Sequence, residues 1–251
     1  MKKIKNIKSG RDVYIANRDI IINDKTDTVD LETVIDKMTN RLMNQSILPW
    51  FADSEKYITL FPKLYIKPKL KGLTSTIHYD QMKNYYNKNI VILGDAGEGK
   101  STLFLNYFLF DSKKNPTRKC IYLTVNDAIE SSNGLQYVTR ICQSVSKSNE
   151  ENLTILIDGL DERFLNDYNG YNEFIALLRQ LSDGYPCSFW LACRKDLFNQ
   201  YRAEASQFVS DEFTIFSWEN EEALTYIKNY EEITETVGLL NKIKKITEHN
   251  E

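Results

Sequence analysis

The sequence predicts an α/β fold: a five-stranded, mainly parallel sheet flanked by helices, with a small N-terminal β/α segment and a partial C-terminal helical subdomain. Three observations predict it. From Asn89 onward, short apolar runs alternate with amphipathic helical patterns, as a parallel sheet covered on both faces requires. One strand-to-helix junction reads Gly94-Asp95-Ala96-Gly97-Glu98-Gly99-Lys100-Ser101, the spacing of a phosphate-binding P-loop. A later apolar run, Leu153-Thr154-Ile155-Leu156-Ile157, ends in Asp158, and ligands of such sheets bind at the carboxyl ends of the strands.

The residue types at the junction follow from phosphate chemistry. Glycines let the backbone curl so that its N–H groups face a phosphate, and the helix opening at Lys100-Ser101-Thr102 adds its positive dipole end. Lys100 is expected to reach the β- and γ-phosphates, and the Ser101 hydroxyl to ligate Mg²⁺. Residues 94–102 are therefore the candidate nucleotide-binding loop.

The chain opens with Met1-Lys2-Lys3-Ile4-Lys5, which lacks the apolar run of a signal peptide. Residues 10–23 carry Arg-Asp twice at a seven-residue offset, each time followed by apolar or aromatic residues. This predicts two short strands, paired as a hairpin or, alternatively, pairing between chains as a signalling stretch. A helix is expected over about 30–45, with Leu31, Val34, Ile35, Met38, Leu42 and Met43 on one face. Pro49, Pro62 and Pro68 break the next region, where Leu64-Tyr65-Ile66 reads as a short strand. Strands follow at 89–93, 119–124, 153–157, 188–192 and 212–216. Helices are expected near 100–110, 134–146, 171–182 and 219–229, and residues 165–172 read as a surface loop. The corresponding division is 1–48, 49–88 (linker and lead-in strand), 89–216 (the nucleotide-binding core) and 217–251.

Composition narrows the class. The chain has 251 residues, 42% hydrophobic and 27% charged, with a net charge of −3. That is an ordinary globular balance and gives no electrostatic indication of nucleic acid as a partner. The four cysteines have no CxxC spacing, which suits a reduced, cytoplasmic protein. No apolar run approaches the ~20 residues that span a bilayer.

The third strand continues as Asp158-Gly159-Leu160-Asp161-Glu162. Asp158 is expected to hold the Mg²⁺ hydration shell beside the P-loop, and Asp161 or Glu162 to orient and polarise an attacking water. The alternative is that the acidic pair only caps the helix that follows. The fourth strand ends in Cys193-Arg194-Lys195-Asp196, where Arg194 can report a γ-phosphate. The N/T-K-x-D spacing of a guanine reader fails because Asp196 follows Lys195 directly, so ATP/ADP is the expected nucleotide.

Gly94–Ser101 together with Ile155-Leu156-Ile157-Asp158-Gly159-Leu160-Asp161-Glu162 resembles the NACHT family, the STAND class of AAA+-related signal-transduction ATPases. The resemblance covers roughly residues 60–230. Leu64-Tyr65-Ile66 is similar to the family's lead-in strand, and Phe216-Ser217-Trp218 with Glu221-Glu222-Ala223-Leu224 to the entry of its first helical subdomain. Arg194 stands where the sensor arginine is expected, although Cys193 and Lys195 replace the usual Thr/Ser-Arg-Pro surroundings. The resemblance implies a slow, regulatory ATPase that closes on ADP and self-associates on ATP, or works with a partner protein; many bacterial members are antiphage immune sensors. Residues 1–48 are short for an enzymatic effector, and the pattern at 239–246 stops in mid-helix, so a fragment of a longer protein is expected. Two other classes fit the motifs: a DNA-associated AAA+ ATPase, and a degenerate nucleotide-binding scaffold presenting its N-terminal strands.

Overall fold

A computed structural model describes residues 3–4, 12–15, 20–23, 30–44, 63–114, 118–129, 136–148 and 152–234. Near the N-terminus, β1 (Lys3–Ile4), β2 (Asp12–Ile15) and β3 (Ile20–Asn23) form an antiparallel three-stranded sheet. Tyr14 pairs with Ile21 and Val13 with Ile22, so the repeated stretch folds back on itself as a hairpin. Helix α1 spans Leu31–Asn44, as its periodicity predicts.

The main sheet has seven strands rather than five. They are β4 (Lys69–Gly72), β5 (Thr76–His78), β6 (Ile90–Leu93), β7 (Lys119–Thr124), β8 (Leu153–Asp158), β9 (Cys187–Cys193) and β10 (Asp211–Ile215). Their order is β5-β4-β10-β6-β9-β8-β7. The five expected strands are the parallel ones, and β4 and β5 extend them as an antiparallel hairpin. This hairpin replaces the strand expected at Leu64-Tyr65-Ile66. Lys63 and Leu64 are helical, 65–68 have no regular structure, and pairing begins only after Pro68, which cannot donate to a ladder. Each hairpin strand buries a single residue facing its partner, Leu70 and Ile77, too little apolar pattern to announce itself.

Side chains of the parallel strands alternate between two cores. Ile90, Ile92, Tyr122, Leu156 and Trp190 face α2 (Lys100–Asn106), whose Leu103, Phe104 and Leu105 cover them. Val91, Leu93, Ile155, Ile157 and Leu191 face the opposite layer. That layer is built from α3 (Val125–Ile129), α4 (Gln136–Ser148), α5 (Leu160–Phe164), α6 (Tyr168–Gly184), α7 (Lys195–Gln200) and α8 (Arg202–Ala205). Helix α9 (Asn220–Thr234) closes the described chain. Among the described residues, no helix is long and apolar enough to cross a membrane. The loop expected over 165–172 is shorter than that: α6 starts at Tyr168, and the Asp167 carboxylate caps it by accepting from Gly170 N at 2.9 Å, a standard way to satisfy a free helix-end donor.

Trp190 anchors the central strand. It is fully buried, its indole N–H donates to the Tyr85 carbonyl at 3.2 Å, and its ring lies 4.6 Å from that of Tyr107. Trp190→Ala is expected to lower unfolding stability by about 3–5 kcal/mol, the cost of emptying a site of this size. Urea denaturation checks this; a loss under ~1 kcal/mol would mean that the site collapses.

Candidate functional site

The strand order assembles the site. β9 lies between the P-loop strand β6 and the aspartate strand β8, and all three run parallel. Their carboxyl ends therefore emerge side by side. Leu93 is in register with Cys193, and the Gly94 N–H donates to the Cys193 carbonyl at 3.3 Å. The structure thus brings Gly94 next to Arg194, and Asp158 to the same end of the sheet.

The loop between β6 and α2 turns on two glycines with left-handed backbone, Gly97 (φ 85°) and Gly99 (φ 90°). No atom lies within 4 Å of where a Cβ would sit at either one, so it is backbone conformation rather than crowding that favours glycine there. Asp95, Ala96 and Gly97 are exposed at the tip, while Thr102 is half-buried in the first turn of α2. The first helical bond runs from Leu103 N to the Gly99 carbonyl at 2.8 Å. Lys100 folds back over the loop, and its ammonium donates to the carbonyls of Gly94 (2.8 Å) and Asp95 (3.0 Å). A positive charge is thereby held at the mouth of the loop.

Across from it, Asp158 is buried in the last position of β8. Burial pushes its carboxyl above the ordinary range, opposed by hydrogen bonds from Ser101 and Tyr122 and by the Lys100 charge. The Tyr122 hydroxyl donates to Asp158 Oδ2 at 2.9 Å. The Ser101 hydroxyl and the Asp158 carboxylate form a pair of hard oxygen donors, one neutral and one anionic, next to a lysine. That donor set fits a Mg²⁺–phosphate group and no soft metal.

The turn after β8 rests on Gly159, whose φ of 80° is again left-handed. Here a Cβ would come within 3.2 Å of Glu162 Cδ. The turn closes with Glu162 N donating to the Gly159 carbonyl at 3.0 Å. Asp161 and Glu162, together in the first turn of α5, then part ways. Asp161 is tied to Arg194, whose Nε lies 2.8 Å from its Oδ2. Glu162 has no such partner among the described residues and stays exposed. Partial desolvation and then the negative charges of Asp158 and Asp161 raise its pKa above the usual glutamate value, with Arg194 opposing. A cavity of about 460 Å³ opens beside this turn, with Glu162, Asp167 and Arg194 in its wall.

Sequence reasoning missed two participants, Tyr122 and Lys195, and did not foresee how Glu98 acts. Tyr122 lies on β7 opposite Leu156, on the same sheet face as Asp158; finding it requires the β7–β8 register. Lys195 reaches Glu98 Oε2 at 3.4 Å and Asp95 Oδ2 at 3.7 Å. Glu98 itself accepts from the Asp95 N–H at 2.6 Å, and Ser217 lies 3.5 Å from its other oxygen. Glu98 thus ties the loop to the ends of β9 and β10, a role that its place in the G-x-x-x-x-G-K-S string does not suggest.

Together these features make a P-loop nucleotide-binding fold with its phosphate loop and acidic strand end juxtaposed. No protein-family model matches the sequence, and no curated protein matches it. Three solved structures are similar to it at low identity. The Walker-type ATPase PABY2304 of Pyrococcus abyssi shares 12% identity over 68% of this chain and 61% of its own length, with a TM-score of 0.48. Domain III of the Thermotoga maritima replication initiation protein DnaA shares 14% over 65% and 71%, at 0.41. The Drosophila ORC bound to DNA shares 16% over 73% and 98%, at 0.36. The chain thus spans less than two thirds of the archaeal ATPase. At these levels of likeness, the fold assignment rests on the strand order and loop geometry of the chain itself.

Proposed function

We propose that this chain is the ATP-binding, slowly ATP-hydrolysing switch module of a NACHT/STAND-type signalling protein, of the kind bacteria use in antiphage defence. The observation that carries the proposal is the meeting of Ser101 and Lys100 with Asp158, followed one turn later by an acidic pair of which only one member is tied up. In this reading residues 89–216 are the nucleotide core and 217–234 lead into a helical subdomain.

Each residue then has a task. The N–H groups of residues 94–102 receive the phosphates, and Lys100 moves its donors from the Gly94 and Asp95 carbonyls onto the β- and γ-phosphate oxygens. Mg²⁺, held by Ser101 and Asp158, would neutralise charge on those oxygens. Glu162, free and less acidic than an ordinary glutamate, orients the attacking water and accepts its proton. Water oxygen bonds to the γ-phosphorus, the bond to the β–γ bridging oxygen breaks, and ADP and phosphate leave. Asp161 acts through Arg194, fixing the guanidinium at the carboxyl edge of the sheet, where a γ-phosphate would compete for it. That competition is the switch.

Sedimentation velocity tests the proposal. The chain loaded with a non-hydrolysable ATP analogue and Mg²⁺ is expected to form larger species than the ADP-loaded chain. Identical sedimentation in both states would refute the switch and leave a plain nucleotide-binding module.

A further inference from the structure

A second cavity, of about 1000 Å³, lies at the other end of the sheet. Its walls come from the 3₁₀ helix Tyr79–Tyr85 and the residues before β6, from the end of the P-loop helix, and from Arg118 just ahead of β7. These are the amino ends of the strands, so the cavity is separate from the P-loop. It has the size of a small-molecule site.

Its charge is unbalanced. Four cations line it against two carboxylates, in a chain that is acidic as a whole. Both carboxylates are already taken. Asp111 accepts from the Tyr79 hydroxyl at 2.6 Å and from Asn106 Nδ2 at 3.2 Å, and it also pairs with Lys114. Asp80 pairs with Lys67 at 2.6 Å. Lys88 faces Asp211 at 3.1 Å. Lys83 and Arg118 remain without a carboxylate partner among the described residues.

Arg118 is also held in place. Its guanidinium lies 4.3 Å from the centre of the Tyr86 ring, and Nη1 donates to the Lys83 carbonyl at 3.0 Å. Stacking plus one backbone bond fixes the plane of the fork, and among the described residues its other donors have no hydrogen-bond partner, a pre-organised arrangement for a phosphate. Solvated surface cations are the ordinary explanation for lysines on a protein surface. They do not call for a concave wall or a clamped arginine. The P-loop helix itself widens into a π-helical turn at Tyr107–Asp111, on the wall of this cavity, and such turns frequently mark functional sites.

The geometry points to a second ligand site here, for a small phosphate-bearing molecule gripped by Arg118 and Lys83. A concavity of this volume suits a compact ligand better than the outer surface of a duplex. The site shares the P-loop helix with the nucleotide loop, one at each end, but its existence does not depend on ATP hydrolysis.

The test uses the full chain with Mg²⁺ and a saturating non-hydrolysable ATP analogue. Pyrophosphate and AMP are titrated calorimetrically, while acylation of Lys83 is followed by mass spectrometry. Pyrophosphate reports phosphate recognition alone, and AMP adds a planar ring. We expect one further binding event with at least one of them, with Lys83 protected from acylation. Arg118→Ala should weaken that event at least ~10-fold, as loss of a charge-assisted contact does. Lys83→Glu, at an exposed position that should leave folding unaffected, should do the same, whereas Lys100→Ala should leave it in place. No further binding by either probe overturns the site, as does binding that Lys83→Glu leaves unchanged. Protection of Lys83 by a 20-base-pair DNA duplex but by neither small molecule would overturn it in favour of a nucleic-acid surface.

Discussion

Lys100→Ala is expected to weaken ATP·Mg²⁺ binding sharply while leaving the fold intact. Lys100 is half-buried at the loop mouth, and among the described residues its ammonium bonds only to backbone carbonyls, so no core contact is lost with it. In the bound state it makes charge-assisted contacts to phosphate, and losing one costs about 1.5–3 kcal/mol, or roughly 10- to 100-fold in Kd. Calorimetry with ATP·Mg²⁺ and thermal denaturation of the same sample separate the two effects. Unchanged affinity would show that Lys100 does not reach the phosphates.

Glu162→Gln should leave ATP affinity within about twofold and lower single-turnover hydrolysis by about 10²- to 10⁴-fold, the usual contribution of a positioned base. Asp161→Asn should behave differently. It frees Arg194 from its 2.8 Å partner, so its effect should fall on the ADP/ATP preference more than on the chemical step. The pH profile gives an independent reading. Because the Glu162 pKa lies above its ordinary value of 4.5, the base becomes protonated, and turnover falls, at a higher pH than an ordinary glutamate would give. Glu162→Gln should lack that acid limb. A Glu162→Gln variant that hydrolyses ATP at the wild-type rate rules Glu162 out as the base; if Asp161→Asn is the inactive one, the base is Asp161.

The parallel strands and the helices α1, α2, α4, α6 and α9 were legible because each is a strongly patterned run, whereas α3, α5, α7 and α8, of six residues or fewer, are too short to show a period. Ile90–Leu93 and Ile155–Ile157 are continuous apolar segments leading into glycine-containing turns, and α1 and α6 keep one apolar face. The P-loop and Asp158 were legible because phosphate chemistry dictates residue type and spacing locally. Two further things were not. The β4–β5 hairpin is specified by one buried residue per strand and by β10, a partner about 140 residues away. Nor could sequence separate Asp161 from Glu162, two adjacent carboxylates told apart only by an arginine from another strand. Tyr122 and Glu98 belong with these, since their partners are set by strand register and loop closure.

The proposed switch requires Ser101, Lys100 and Asp158 to form one Mg²⁺-dependent nucleotide site. Its most direct test is calorimetric titration of ATP into the wild-type chain with Mg²⁺ and with EDTA, repeated on Asp158→Asn. The wild type is expected to show saturable one-to-one binding that Mg²⁺ strengthens, and Asp158→Asn to lose that strengthening. Absence of ATP binding to the wild-type chain, or binding equally indifferent to Mg²⁺ in both proteins, would contradict it.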